Sequence, residues 1–157
     1  MLGIIMAGGQ GSRLMPLTAT RPKPMVEVLG RPVIDYVKDA MVDAGIDCFD
    51  CSTRRFWEPE FEGSDLNFAG WTKKLMGLPT ITVGSVGLTG EFVAGMGGES
   101  SEAAPIDGLI ERLEREEFDL VGVGRALLTD AEWPNKIREG RFDELKAFEQ
   151  AHMLSLS

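Results

Sequence analysis

Histidine occurs once and cysteine twice in 157 residues, and each scarcity excludes a class of chemistry. His152 is the only imidazole, and it lies in a predicted C-terminal helix with no serine and aspartate placed around it by any motif. It reads as a surface or packing residue. Cys48 and Cys51 stand in Cys-Phe-Asp-Cys. The segment has strand character, and strand positions three apart point to opposite faces. A disulfide needs Cα atoms within about 7 Å, which an extended strand does not provide. No second cysteine pair completes a zinc site, and no other metal cluster or motif-placed carboxylate pair is present. A membrane span is also missing, because no apolar run approaches about 18 residues. The opening Met1-Leu2-Gly3-Ile4-Ile5-Met6 has no basic residues ahead of it and runs directly into glycines. It reads as a buried strand rather than a signal peptide, with a cytoplasmic setting by default. Basic residues are scarce too: 16 against 25 acids, a formal charge of −9. Residues 1–47 balance at five and five, and residues 48–157 carry the excess at 11 and 20. An acidic chain repels polyphosphate backbones, which argues against nucleic acid as a partner. An anion site must therefore be local.

What remains is an alternation of strand and helix. Strands are predicted at 2–7, 47–52, 80–84 and 118–123. Helices are predicted at 32–44, 64–76 and 105–116, with shorter ones at 131–139 and 142–153. The first helix places Val33, Val37, Met41 and Ala44 on one face. Ser64 is the expected N-cap of the second and Gly77 its stop. Residues 87–104, rich in Gly, Ser and Glu, are predicted to form a mobile loop. Repeated βα units imply a parallel sheet. The fold class is α/β: a four-unit parallel βα protein in one domain, either a half-barrel or a flattened Rossmann- or flavodoxin-like sheet. A half-barrel would leave apolar strand residues such as Ile81, Val83, Leu120 and Val121 uncovered. Pairing of two copies would cover them, and so would flattening with the C-terminal helices as a second layer. The second solution is favoured here. Ligands of such sheets bind at the carboxyl ends of the strands, which gathers residues 8–13, 53–56, 84–87 and 124–126.

Residues 7–25 read Ala-Gly-Gly-Gln-Gly-Ser-Arg-Leu-Met-Pro-Leu-Thr-Ala-Thr-Arg-Pro-Lys-Pro-Met. Gly8, Gly9 and Gly11 let the backbone close on an anion with its N–H groups turned inward. Arg13 and Lys23 supply charge for phosphates, and Pro22 and Pro24 stiffen the segment that presents Lys23. The run resembles the N-terminus of sugar-phosphate nucleotidyltransferases and continues through Val26–Tyr36, fading near Asp47. The resemblance implies a nucleotide held by the glycine loop, with Arg13 and Lys23 on its phosphates. It also implies a later metal-binding aspartate and a sugar pocket, neither of which is found in this sequence.

The character then changes. Cys51-Ser52-Thr53-Arg54-Arg55-Phe56-Trp57-Glu58-Pro59-Glu60-Phe61-Glu62-Gly63-Ser64 leads to Thr82-Val83-Gly84-Ser85-Val86-Gly87-Leu88. Later comes Phe118-Asp119-Leu120-Val121-Gly122-Val123-Gly124-Arg125-Ala126. Two neighbouring strands that each end in a glycine turn, the second adding an arginine, make a phosphate cup. From about residue 47 onward the chain resembles the C-terminal part of the old yellow enzyme family of FMN-dependent ene-reductases, which are (βα)8 barrels. The resemblance implies that Ser85, Val86 and Gly87, with Gly124 and Arg125, hold the FMN phosphate or, failing FMN, a phosphate or sulfate ion. The family's substrate-binding and catalytic residues belong to earlier barrel units.

Arg54 and Arg55, at the ligand edge, read as solvated or ion-paired. Trp57, Trp71 and Trp133 read as packing residues, Tyr36 as lacking a catalytic partner, and Glu114, Glu116 and Glu117 as a solvated helix end. The abrupt change near Asp47 suggests a chimera, engineered or recombined: residues 1–47 as one nucleotidyltransferase-like βα unit and residues 48–157 as ene-reductase-like half-barrel units. The expected function is binding of a small anionic ligand without a catalytic residue set. Turnover as a flavin oxidoreductase or a nucleotidyltransferase is the alternative.

Overall fold

The computed structural model of the chain describes residues 12–19, 25–90, 95 and 97–153. The predicted strand at 2–7 lies outside them. The chain divides into two compact units, Met1–Asp47 and Cys48–Ser157.

In the first unit, Ser12–Leu14 forms a 3-10 turn. Strands β1 (Glu27–Val28) and β2 (Arg31–Pro32) pair antiparallel. Leu29 and Gly30 join them, both at positive φ (54° and 77°), the backbone that a two-residue hairpin turn requires. Helix α1 (Val33–Asp43) follows, with Pro32 at its N-cap. Tyr36 donates its hydroxyl to the Val28 carbonyl at 2.9 Å, which ties the helix to the hairpin. Arg31 bonds Asp39 and also faces Asp35. The expected core-facing stripe is not buried: α1 buries none of its residues, and Val33 and Val37 are exposed.

In the second unit, β3 (Phe49–Ser52), β4 (Thr80–Val83) and β5 (Leu120–Gly122) form a parallel sheet in that order. Parallel neighbours need a crossover. Helix α2 (Phe68–Met76) supplies the first and α3 (Asp107–Glu114) the second. The architecture is thus α/β with Rossmann-like alternation of strand and helix. Cys51 pairs with Thr82, which pairs with Val121, so these residues share a face. That face is buried against Ala69, Leu109 and Phe118. Both cysteines are free, and burial pushes the Cys51 thiol up. Ile81, Val83 and Leu120 point the other way. Ile81 and Val83 are half-buried and Leu120 is 54% exposed. Among the described residues of the C-terminal segment, Trp133 packs against Gly87 and Phe148 bridges Ser101, beyond the carboxyl end of the sheet.

Local details also differ from the expectation. Asn67, not Ser64, caps α2 by accepting from the Gly70 N–H at 2.9 Å. Ser64 instead accepts from Leu66 N–H in a tight turn. Helix α4 (Arg125–Thr129) was not foreseen, α5 (Trp133–Glu139) was, and residues 142–153 hold two 3-10 turns, Phe142–Glu144 and Gln150–Met153, in place of a helix. The ends of the predicted mobile loop are pinned: Leu88 bridges Ala103, and Ser101 is buried. Among the described residues no helix is long and apolar enough to cross a membrane.

Candidate functional site

Three turns meet at the carboxyl end of the sheet. After β3, the Thr53 backbone N–H and hydroxyl both donate to the Val83 carbonyl, at 2.8 and 2.9 Å. Phe56 N–H reaches the Gly84 carbonyl at 3.1 Å. After β4, Ser85 takes a left-handed backbone (φ 49°), and its hydroxyl lies 2.9 Å from the carbonyls of both Arg54 and Gly90. After β5, Gly124 leads into α4, whose first residue is Arg125.

Arg125 links the second and third turns. Its side chain crosses to the β4 turn, where Nη2 donates to Ser85 Oγ at 3.2 Å and to the Gly90 carbonyl at 2.6 Å. Its guanidinium lies 5.3 Å from the centroid of the Phe148 ring, and the residue is only 9% exposed. Ser85, Gly124 and Arg125 thus stand at the carboxyl end of the sheet. Val86 contributes its side chain to the core and has only backbone to offer a ligand. Gly87 is left-handed (φ 71°), and a Cβ there would meet the Trp133 indole at 3.0 Å. Gly87→Ala is therefore expected to cost at least about 1–2 kcal/mol from backbone strain, measured by urea unfolding. A stability equal to wild type would show that the turn relaxes freely.

Of the other candidates, Arg13 is exposed in the first 3-10 turn. Gly8, Gly9, Gly11 and Lys23 lie outside the described residues. Arg55 pairs with Glu58 at 2.8 Å. Among the described residues no group of His, Cys, Asp and Glu is placed to hold a metal ion.

Beside the β4 turn lies a cleft of about 400 Å³ whose lining includes Phe56, Trp57, Ser85, Gly87, Leu88 and Arg112. Arg112 was not singled out from the sequence. Its guanidinium donates to Glu117 Oε1 at 2.6 Å and to the carbonyls of Asp65 and Trp57. Glu117, read as part of a solvated run, is 8% exposed and also accepts from Asn67 N–H. Glu117 is held by Asn67, 50 residues earlier in the chain, a pairing that no local pattern announces.

Residues 2–56 match the family described as Nucleotidyl transferase. The match passes the Asp47 boundary and ends at Phe56. The chain is 52% identical over 44 residues to the 2-aminoethylphosphonate cytidylyltransferase of Lancefieldella rimae, covering 28% of this chain and 18% of that protein. It is 50% identical over 46 residues to the mannose-1-phosphate guanyltransferase of Saccharomyces cerevisiae, covering 29% and 13%. It is 47% identical over 45 residues to the UTP–glucose-1-phosphate uridylyltransferase AglF of Haloferax volcanii, covering 29% and 18%. The chain thus spans less than a fifth of the length of these curated relatives.

Proposed function

We propose that this chain is an anion-binding α/β protein, a chimera of two unlike pieces, whose phosphate-class site lies between the turns after β4 and β5 and which lacks a complete catalytic set. The observation that carries the reading is the 3.2 Å contact from Arg125 to Ser85. It brings the two glycine turns together with a guanidinium between them. An anion would exchange with the Gly90 carbonyl for the guanidinium and take further donors from the backbone of the turns. Charge-assisted contacts of this kind contribute about 1.5–3 kcal/mol.

The residues fit the phosphate end of FMN: a hydroxyl, an arginine, and open space beside Gly124, where a Cβ would meet nothing within 4 Å. Bound FMN would bring hydride-transfer chemistry, and this chain's part would be to hold its phosphate. The site would engage only the phosphate end of FMN, so weak affinity for FMN is expected. The compact units divide at Asp47, near the change in sequence character, while the family match runs on to Phe56.

A second reading, nucleotide binding by the first unit, is favoured by the family match over residues 2–56. There Gly8, Gly9 and Gly11 would cradle a nucleotide, with Arg13 and Lys23 on its phosphates.

Titration of phosphate and FMN into wild type, Arg125→Ala and Arg13→Ala tests both. The expected result is loss of anion binding in Arg125→Ala alone. Loss in Arg13→Ala alone would move the site to the first unit. Neither ene-reductase nor nucleotidyltransferase turnover is expected, and turnover that Arg125→Ala or Arg13→Ala abolishes would overturn the non-catalytic reading.

A further inference from the structure

Phe56 and Trp57 follow β3 side by side but are buried unequally. Phe56 is 6% exposed and Trp57 38%, and the two rings meet edge to face at 5.1 Å between centroids. Their backbone is held. Phe56 bonds Gly84 through its N–H and Asn67 through its carbonyl, and the Trp57 carbonyl accepts from Arg112 at 3.2 Å. A fixed backbone that leaves an indole partly open makes a rigid aromatic wall. Both residues line the cleft of about 400 Å³ beside the β4 turn, which falls in the size range of small-molecule sites, about 300–1,000 Å³. Leu88 and, at the start of α3, Gly108 also line it. A Cβ at Gly108 would meet nothing within 4 Å, so the space beside this helical glycine is open.

Arg112 stands one turn further along α3 and lines the same cleft. Its guanidinium donates through Nη1 to Glu117 and Asp65 and through Nη2 to Trp57, three of the five N–H donors that an arginine has. Among the described residues, that leaves Nε–H and one Nη2–H, neighbouring donors that a planar carboxylate can accept together. Glu117 is also the ion partner of Arg115, at 4.0 Å. Two guanidiniums therefore share one carboxylate, and the group as a whole stays positive.

We propose that this cleft binds a small planar aromatic molecule that carries one carboxylate, with its ring along Trp57 and Leu88 and its carboxylate on Arg112. Arg125 is not part of the lining, and the inference does not depend on the anion-site reading above. An aromatic ring covers indole surface that water otherwise wets, and flat rings pair well with an indole. A bare inorganic anion gains nothing from those walls and loses its hydration beside them.

Calorimetric titration of the whole chain with 2-naphthoate tests this. Binding is expected, and the uncharged 2-naphthamide, of nearly the same shape, should bind about tenfold more weakly, the worth of one charge-assisted contact. Gly108→Leu puts a side chain into the open space. It should weaken 2-naphthoate by at least about tenfold and leave stability in urea no lower than wild type, because leucine is the better helix former. Arg112→Gln should bring acid and amide to the same affinity, a ratio read within one variant that a general loss of stability does not imitate. In the wild type, nuclear Overhauser contacts should run from the naphthoate ring to Trp57 and Leu88, and excess phosphate should not displace the ligand. These contacts decide the matter without any substitution if Gly108→Leu fails to fold. No binding at about 1 mM, ring contacts to other residues, displacement by phosphate, or a folded Gly108→Leu that binds like wild type overturns the site. Equal affinity of the wild type for acid and amide overturns the carboxylate and the part given to Arg112.

Discussion

Lys136→Ala is expected to destabilise the second unit by about 3–5 kcal/mol, the usual result of leaving one buried charge without its partner. Lys136 Nζ donates to Asp130 Oδ2 at 2.6 Å, and the two side chains are 9% and 3% exposed. The same ammonium donates to the Glu144 carbonyl at 2.9 Å. One side chain therefore ties the end of α4, α5 and the following 3-10 turn. Truncation strands a carboxylate and a carbonyl together. Burial alone would raise the Asp130 carboxyl, but the hydrogen bond and charge of Lys136 outweigh it and hold the group below its usual range. A carboxylate depressed in the folded state stabilises above its unfolded value, about pH 4, and that contribution is lost as pH falls through the folded value. The wild type should therefore lose stability on acidification below about pH 4, and Lys136→Ala should lose less over the same range because its pair is already broken. A double change to Asp130→Leu and Lys136→Met should recover part of the loss, since an apolar pair carries no charge desolvation cost, while the Glu144 carbonyl and the Glu132 N–H still lack their partners. Urea unfolding of the wild type and the two variants measures all of this, and a loss below about 1 kcal/mol in Lys136→Ala would mean that water reaches the pair.

What could be read from the sequence follows from how far each decision reaches along the chain. β4 and β5 were legible because β-branched and apolar runs ending in glycine are local signals, and the observed bounds of β3, β4 and β5 fall inside the predicted ranges. The place of Arg125 at the mouth of the β5 turn was legible for the same reason. Its partner was not: the Gly90 carbonyl belongs to a loop read as mobile from composition. Gly90 is held by Ser101, whose side chain accepts the Gly90 N–H at 2.7 Å and whose backbone bridges Phe148. The same bridge explains the missing C-terminal helix. Backbone groups of Phe148 that bond Ser101 are not available to a helix, so residues 142–153 break into two short turns. In the first unit the glycine-rich run was the plainest motif of the chain, yet of its candidate residues only Arg13 falls among the described ones. The choice between Ser64 and Asn67 as helix cap could not be made locally, since both residue types cap well.

That choice sets the last expected result. Asn67→Ala should cost about 3–5 kcal/mol, more than the roughly 1 kcal/mol of an ordinary cap. Asn67 is fully buried and uses every polar group it has. Its Oδ1 accepts from Gly70 N–H at 2.9 Å to start α2. Its Nδ2 donates to the Phe56 carbonyl at 2.8 Å and to Thr82 Oγ1 at 3.0 Å. Its backbone N–H reaches Glu117 Oε1 at 3.1 Å. Alanine removes the cap and leaves a carbonyl and a hydroxyl buried without their donor, each at about 1–3 kcal/mol and not fully additive. The Ser64 hydroxyl cannot take over, because it is spent on Leu66. Asn67→Asp separates the parts. It keeps the cap acceptor but loses both donors and sets a carboxylate beside buried Glu117. Its new carboxyl should have a raised pKa in the folded state, so the penalty should be largest at neutral pH and shrink as pH falls toward the ordinary carboxylate range. Unfolding of both variants at about pH 7 and about pH 5 reads the difference. An Asn67→Asp penalty that does not change between them would mean that the new carboxylate finds water, and that the hub is less closed than its burial indicates.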